Sequence, residues 1–137
     1  MIDNLIHWNI KGLKTRQNHN FQEKVSIISD LLSKIQSTTV LNLQETHLTE
    51  ENEIPQTWLN FRHIYHIIST WATPEDRFAG ITIFINKTFE IVETIEIIKG
   101  RAIFIKVKSK DSYIIFNLFS IYGKASGNST QKSDFFK

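Results

Sequence analysis

The chain has 137 residues, of which 41% are hydrophobic and 22% charged, as expected for one soluble globular domain or a large part of one. It contains no cysteine and no apolar run of about eighteen residues, and its first residues lack the basic segment and long apolar stretch expected of a secretion signal. This composition excludes disulfides, thiolate zinc sites and a transmembrane helix, and it suits an intracellular protein. The net charge of +2 permits a partner that carries phosphates but does not by itself argue for one.

The first part of the chain predicts a strand, a helix and a second strand. Leu5–Ile10 is a short apolar run that predicts a buried strand. Asn20 and Glu23 have the spacing of a capping box, so we expect a helix with Asn20 as its N-cap. Thr39–Leu43 predicts the second strand, and the connecting helix predicts that the two strands are parallel. The apolar stripe of the helix consists of Phe21, Val25, Ile28, Leu32 and Ile35.

The remainder of the chain is rich in β-forming residues. Thr49–Glu53 predicts a short helix, and Lys99-Gly100 predicts a hairpin turn. Phe89, Ile91, Ile95 and Ile97 alternate with polar residues, as in a half-buried strand. Five strands are predicted in this part, at Arg62–Ser69, Gly80–Ile85, Phe89–Ile98, Ala102–Val107 and Tyr113–Phe119.

The last ten residues have the pattern of an incomplete helix. Asn128–Gln131 could cap a helix whose first apolar residues are Phe135 and Phe136, and the chain ends one residue later. We therefore expect the chain to continue in the parent gene.

Two polar residues stand at the carboxyl ends of the two parallel strands. Asn9 follows the first strand and Glu45 the second. In open α/β sheets ligands bind beyond these strand ends, and a carboxylate is a hard oxygen ligand suited to Mg²⁺. The spacing alone also permits a simpler interpretation, in which Asn9 caps a turn and Glu45 is a solvated strand end.

The motifs around these residues resemble the endonuclease/exonuclease/phosphatase superfamily, and in particular the endonucleases of LINE-type (non-LTR) retrotransposons, relatives of apurinic/apyrimidinic repair endonucleases. The most specific piece is Gln44-Glu45-Thr46-His47. The other motifs follow in the family's order, as Trp8-Asn9-Ile10-Lys11-Gly12-Leu13, Phe78-Ala79-Gly80-Ile81-Thr82-Ile83, Gly100-Arg101-Ala102-Ile103 and Ser120-Ile121-Tyr122-Gly123.

The resemblance implies an α/β fold, a partial four-layer α/β-sandwich of the DNase I-like type with only its N-terminal half present. Residues 1–137 would then be the N-terminal portion of one domain whose C-terminal half is missing. The inner face of the first sheet would lack its partner, so we expect the apolar runs at Gly80–Ile85 and Tyr113–Phe119 to be exposed and the chain to be poorly soluble.

The same resemblance implies a partial catalytic site. Glu45 would bind Mg²⁺ or Mn²⁺, Asn9 would help to hold the metal-bound phosphate, and Tyr122 would hydrogen bond to the scissile phosphate. Gln44 would support the glutamate. Ser120 and Lys124 stand where the family has an asparagine and a proline, which predicts either a looser tyrosine loop or sequence decay. The family's Asp-x-Asn and final Asp-His motifs do not occur in this chain, so we expect it to be inactive by itself.

Several residues near this site have two interpretations. His47 could line the cleft or be a solvated loop histidine. Lys11, Lys14 and Arg16 could contact DNA phosphates, or they could form a solvated loop.

Two functional classes follow. The first is a Mg²⁺-dependent endonuclease module that nicks target DNA, joined to a downstream reverse transcriptase and located in the nucleus, with an apurinic-site repair nuclease as its neighbour in the superfamily. The second is a decayed or domesticated fragment that no longer catalyses.

Overall fold

The computed structural model describes residues 2–13 and 18–123. Two sheets pack face to face. One is mixed and four-stranded with the order β1-β2-β4-β3, and the other is antiparallel and three-stranded with the order β5-β6-β7. No helix in these ranges is long and apolar enough to cross a membrane. The elements are β1 (Asn4–Asn9), α1 (Asn18–Lys34), β2 (Thr39–Gln44), a 3-10 turn (Glu51–Glu53), α2 (Gln56–Leu59), β3 (Tyr65–Thr70), β4 (Ile81–Asn86), β5 (Phe89–Ile98), β6 (Ala102–Ser109) and β7 (Ile115–Ile121).

The strand, helix and strand predicted at the start of the chain are confirmed. β1 and β2 are parallel, with Asn9 paired to Gln44 at their carboxyl ends. The predicted N-cap at Asn20 is wrong, since α1 already begins at Asn18. The apolar stripe marks the packed face of a helix, and polar residues can extend the helix beyond that face.

α1 covers the outer face of the first sheet, and the second sheet covers the inner face. Along β2 the side chains of Leu41 and Leu43 pack with the buried residues of α1. The intervening Asn42 and Gln44 point the other way and form hydrogen bonds to β7. This alternation is the period of two that a strand imposes. It places the polar side chains of β2 between the sheets.

The first sheet does have a partner, so the expected exposure of Gly80–Ile85 is wrong. Ile83 and Ile85 of β4 are at most 3% exposed and pack with Ile103 and Ile105 of β6. The exposure expected for Tyr113–Phe119 is confirmed in part: Phe119 is 61% exposed, but Phe116 and Leu118 pack against the core between the sheets. The second sheet is therefore present in this chain, but its β7 edge is open in the described residues.

Two strands are more exposed than their composition predicts. β1 is an edge strand whose Leu5 is 59% exposed, so the prediction of a buried strand is wrong there. In β5 the half-buried pattern holds for Phe89 and Ile91 but fails for Ile95 and Ile97, which are exposed. Register shifts between Ile91/Glu93 and Glu96/Ile98 break the alternation in β5.

Smaller elements agree in part. The turn at Lys99-Gly100 is confirmed as the link between β5 and β6, and the short helix expected at Thr49–Glu53 is the 3-10 turn. α2 was not predicted from the sequence, although it buries Trp58 completely. The Trp58 indole donates a hydrogen bond of 3.3 Å to the Val25 carbonyl and so fastens α2 to α1. The helix expected from Asn128 lies outside the described residues.

Candidate functional site

Glu45 lies at the carboxyl end of β2, between the chain segments that follow β1 and precede β4. Its carbonyl accepts a hydrogen bond of 2.7 Å from the Gly12 amide, and the next amide, of Thr46, donates to the Gly80 carbonyl. The φ angle of Glu45 is +58°, a left-handed conformation that costs a side-chain-bearing residue about 1–2 kcal/mol. Residues with such strain cluster at functional sites.

The neighbouring backbone is equally constrained. Lys11 and His47 also have left-handed φ angles, and Gly12 and Gly80 have φ angles of +86° and +110°. A Cβ atom at Gly12 would lie 2.3 Å from Nδ1 of His47. The glycine therefore makes room for the imidazole. The segments that follow β1 and β2 and the segment that precedes β4 therefore meet at Glu45. The order of the motifs in the sequence does not by itself require this.

The His47 ring is packed beside Glu45, so its interpretation as a solvated loop histidine is wrong. Its Nε2 lies 3.6 Å from Oε1 of Glu45, and both side chains are less than one-fifth exposed. This distance is too long for a hydrogen bond, and the buried Nε2 has no hydrogen-bond partner among the described residues. Burial lowers the pKa of His47, and the nearby Glu45 carboxylate opposes this effect. Phe78, 56% exposed, contacts the ring edge-on at 5.3 Å.

Tyr122 follows β7 and belongs to the segment that leaves the second sheet. The residue is 9% exposed, and its amide donates a hydrogen bond of 2.7 Å to the Arg101 carbonyl. Burial raises the pKa of the Tyr122 phenol, hydrogen bonding and charge from Glu45 raise it further, and Arg101 opposes the increase. At neutral pH the phenol therefore keeps its proton and can donate a hydrogen bond.

Gln44 has a different place from the one expected. Its amide nitrogen donates hydrogen bonds of 3.0 Å to the Ser120 hydroxyl and 3.2 Å to the Ile121 carbonyl. Ser120 in turn donates a 3.0 Å hydrogen bond to the side chain of Asn42. Gln44 thus holds the end of β7 that precedes Tyr122. Ser120 is bonded on both sides, and Lys124 lies outside the described residues.

Arg101 and Asp76 are members of the site that the sequence reasoning did not single out. Arg101 is 5% exposed, and it pairs with Asp76 through an Nε–Oδ2 distance of 2.8 Å and an Nη2–Oδ1 distance of 2.5 Å. Its guanidinium carbon lies 4.5 Å from the centroid of the Tyr122 ring. Arg101 was visible within the motif Gly100-Arg101-Ala102-Ile103, but nothing in the sequence indicated that Asp76 would pair with it.

The first strand contributes its end to the same edge. The Asn9 side-chain oxygen accepts a hydrogen bond of 3.0 Å from the Lys11 amide, so Asn9 does cap a turn, as the simpler interpretation held. Lys11 is exposed. Lys24 of α1 is a further cation that the sequence did not single out, and its ammonium donates a hydrogen bond of 2.9 Å to the Gly12 carbonyl. Lys14 and Arg16 lie outside the described residues.

The fit of a metal ion can be judged from the donors present. Within residues 2–13 and 18–123 no three histidine or carboxylate side chains are grouped to hold a metal ion. Glu45 is the carboxylate at the strand end, beside the unpartnered Nε2 of His47. Mg²⁺ keeps several waters and is often bound through one or two carboxylates together with substrate phosphates. One partly buried carboxylate fits that mode of binding.

Comparison with known proteins gives a match by structure and none by sequence. No family model and no curated protein matches the chain. The AP endonuclease LMAP of Leishmania major is similar with a TM-score of 0.63 and 15% identity, over 96% of this chain and 43% of that one. The APE2 catalytic domain of Xenopus laevis is similar with a TM-score of 0.56 and 12% identity, over 96% of this chain and 48% of that one. The chain therefore has the DNase I-like α/β-sandwich fold of these AP endonucleases and spans less than half of their length.

Proposed function

We propose that this chain is part of a Mg²⁺-dependent DNA endonuclease module of the LINE (non-LTR retrotransposon) type, which hydrolyses a phosphodiester and nicks target DNA. The observation that carries the proposal is the convergence of Glu45 and Tyr122 from different sheets. Glu45 is held in a strained backbone conformation, and its carboxylate contributes to the raised pKa of the Tyr122 phenol. Both are residues for which the family resemblance supplies a role.

Each residue of the site would have its own role in binding the metal ion and the phosphate. Glu45 would hold the cation, which when bound supplies positive charge at a phosphate oxygen. Tyr122, with its proton retained, would donate a hydrogen bond to a phosphate oxygen and stabilise the developing charge. Asn9, at the end of the neighbouring strand, would orient the phosphate. The nearby ammonium group of Lys24 adds positive charge to the cleft, which favours a polyanionic substrate.

The assignment to retrotransposon endonucleases rests on the motif Gln44-Glu45-Thr46-His47. All four residues of this motif have a defined position in the fold, which supports the assignment. Gln44 is hydrogen bonded to Ser120 of β7, and Glu45 contributes to the raised pKa of Tyr122. Thr46 is buried, and His47 packs beside Glu45. A parent polypeptide with a downstream reverse transcriptase, acting in the nucleus, is the context that this assignment proposes.

The chain by itself should be a slow enzyme at best. The Asp-x-Asn and Asp-His motifs that supply the general base in the family do not occur in this sequence. General-base assistance alone is worth about 10²–10⁴ in rate. The second candidate function is therefore a fragment that binds DNA or metal without catalysis. Within the first class, the similar AP endonuclease structures favour an apurinic-site nuclease as the alternative substrate choice.

One experiment with matched variants separates these possibilities. Mn²⁺ binding, followed by electron paramagnetic resonance, and nicking of supercoiled plasmid with Mg²⁺ are measured for the full chain, Glu45→Gln and Glu50→Gln. Glu50 is exposed and makes no capping hydrogen bond, so its variant controls for the loss of one negative charge. A duplex with a single apurinic site is cleaved in parallel with an intact duplex.

We expect Glu45→Gln to lose at least tenfold in Mn²⁺ affinity and all nicking, while Glu50→Gln is unchanged. Equal Mn²⁺ binding by the chain and Glu45→Gln would sink the site assignment. Metal and DNA binding without any nicking would identify the non-catalytic fragment. If only the apurinic duplex were cleaved, the activity would be that of an apurinic-site nuclease and not the nicking of intact target DNA.

A further inference from the structure

Arg101 holds the backbone on both sides of Tyr122. The carbonyl of Arg101 accepts the amide of Tyr122 at 2.7 Å, and its Nη1 donates to the carbonyl of Gly123 at 3.3 Å. The amide of Arg101 in turn donates to the Ile98 carbonyl at 2.9 Å and so closes the turn between β5 and β6. The position of Tyr122 is therefore tied to the start of β6 through main-chain atoms and a side chain of the same residue.

The side chain of Arg101 also fixes the ring of Tyr122. The guanidinium carbon lies 4.5 Å from the ring centroid, within the range of a cation–π contact. The Asp76 carboxylate accepts hydrogen bonds from two guanidinium nitrogen atoms, Nε and Nη2. Two contacts fix the orientation of the guanidinium plane, whereas a single contact would leave it free to rotate. Because Arg101 is 5% exposed, water does not compete strongly for these contacts. The orientation of the ring thus depends on Asp76, and four strands, β4 to β7, separate this residue from Tyr122 in the chain.

We propose that Arg101 is a positioning residue for Tyr122: oriented by Asp76, its guanidinium fixes the orientation of the phenol ring at the site that includes Glu45. The part that concerns catalysis rests on the proposed function, since it matters to a reaction only if Tyr122 contacts the phosphate. The positioning itself follows from the contacts and is open to a test that needs no activity.

A direct contact between Arg101 and the DNA is the competing role. It is disfavoured because Nε and Nη2 are engaged by Asp76 and Nη1 by Gly123, and because the carboxylate neutralises the guanidinium charge. A phosphate would have to break these buried bonds before it could form its own. Lysine should not replace Arg101, because an ammonium lacks the planar fork that both Asp76 and the ring require.

The spectroscopic test uses the three tyrosines of the chain. ¹⁹F NMR of the full chain labelled with 3-fluorotyrosine gives separate signals, and Tyr122→Phe identifies that of Tyr122. Arg101→Gln, Arg101→Lys and Asp76→Asn are compared with Arg77→Gln. Arg77 is a matched control, because it is an exposed arginine whose guanidinium lies 5.5 Å from another ring, that of Phe78.

We expect all three variants at Arg101 and Asp76 to shift and broaden the Tyr122 signal while Tyr65 and Tyr113 stay in place, and Arg77→Gln to move none of them. An unmoved Tyr122 signal in Arg101→Gln would overturn the proposal. A shift of all three signals would do so as well, because it would mean general loss of structure.

A double-mutant cycle in the plasmid-nicking assay then separates positioning from DNA contact. If Arg101 acts through Tyr122, Arg101→Gln lowers the rate about 10- to 10²-fold in the parent chain but by less than about twofold in the Tyr122→Phe background. Equal losses in both backgrounds would instead establish a direct contact with the substrate. A chain that does not nick at all would point to the non-catalytic fragment, while the NMR result would still decide the positioning.

Discussion

The side-chain amide of Gln44 donates a hydrogen bond of 3.0 Å to the hydroxyl of Ser120, and this bond joins β2 of the first sheet to β7 of the second. The same hydroxyl donates a hydrogen bond to the side-chain oxygen of Asn42, and the amide nitrogen of Asn42 lies 3.2 Å from Nδ1 of His7. A chain of polar groups therefore crosses an otherwise apolar interface. It holds β7, which precedes Tyr122, against β2, which precedes Glu45.

Loss of the Ser120 hydroxyl should destabilise the fold. Ser120→Ala leaves Asn42 without its donor and Gln44 with the Ile121 carbonyl as its remaining acceptor. Since an unsatisfied buried polar group costs about 1–3 kcal/mol, the free energy of unfolding should fall by that amount. Urea unfolding followed by tryptophan fluorescence measures it, with Ser112→Ala, at an exposed turn, as the control. Equal midpoints for the two variants would show that the hydrogen-bond chain adds nothing to stability.

Backbone strain at Glu45 should make stability and metal binding change in opposite directions. Glu45→Gly removes the left-handed penalty of about 1–2 kcal/mol and adds the chain entropy cost of glycine, about 0.5–1 kcal/mol. We therefore expect Glu45→Gly to unfold with a free energy roughly 0.5–1 kcal/mol higher than Glu45→Gln. Both variants should lose Mn²⁺ binding. If Glu45→Gly were the less stable of the two, the left-handed conformation would not be a source of strain.

The chain should lose stability in mild acid through His47. Its pKa is lowered by burial from the ordinary value of 6.5, so the unfolded chain takes up a proton in a pH range where the folded chain does not. Stability from the neutral ring is present above pH 6.5 and decreases as the pH falls below this value.

The measurement is the urea midpoint at a series of pH values, for the parent chain, His47→Gln and His63→Gln. The decrease should be smaller in His47→Gln and unchanged in His63→Gln, since His63 is exposed at a turn. The same dependence in all three chains would assign the acid sensitivity to other groups.

The open edge of β7 should make the chain self-associate. Phe119 is 61% exposed, Ile115 54% and Ile121 45%, and they lie on a strand that is paired on one side within the described residues. Phe119→Thr with Ile121→Thr should therefore increase the monomeric fraction at a given concentration. Light scattering after size-exclusion chromatography measures this fraction. Ile64→Thr, at an exposed turn outside the strands, is the control and should have no effect. A parent chain that is already monomeric would contradict this prediction.

Local patterns were sufficient for the elements and for part of the site. The apolar stripe of α1, the alternation along the strands and the turn at Lys99-Gly100 depend on neighbouring residues, so the sequence predicted them within a few positions. Glu45 and Asn9 could be placed at one edge because parallel strands joined by a helix end on the same side. Tyr122 entered only through the motif resemblance.

What the tertiary structure decided are relationships between residues far apart in the chain. The exposure of β1 and β7 depends on which strands lie next to them, and the pairing of Asp76 with Arg101 joins two loops that no periodicity connects. The hydrogen bond from Gln44 to Ser120 is also a long-range relationship, because Gln44 finds this partner only when the second sheet packs against that face of β2. By itself the sequence determined which segments are strands and helices and which polar residues follow them. Only the packing of the two sheets determined that Glu45, Tyr122 and Arg101 meet, since that meeting depends on long-range contacts rather than on local spacing.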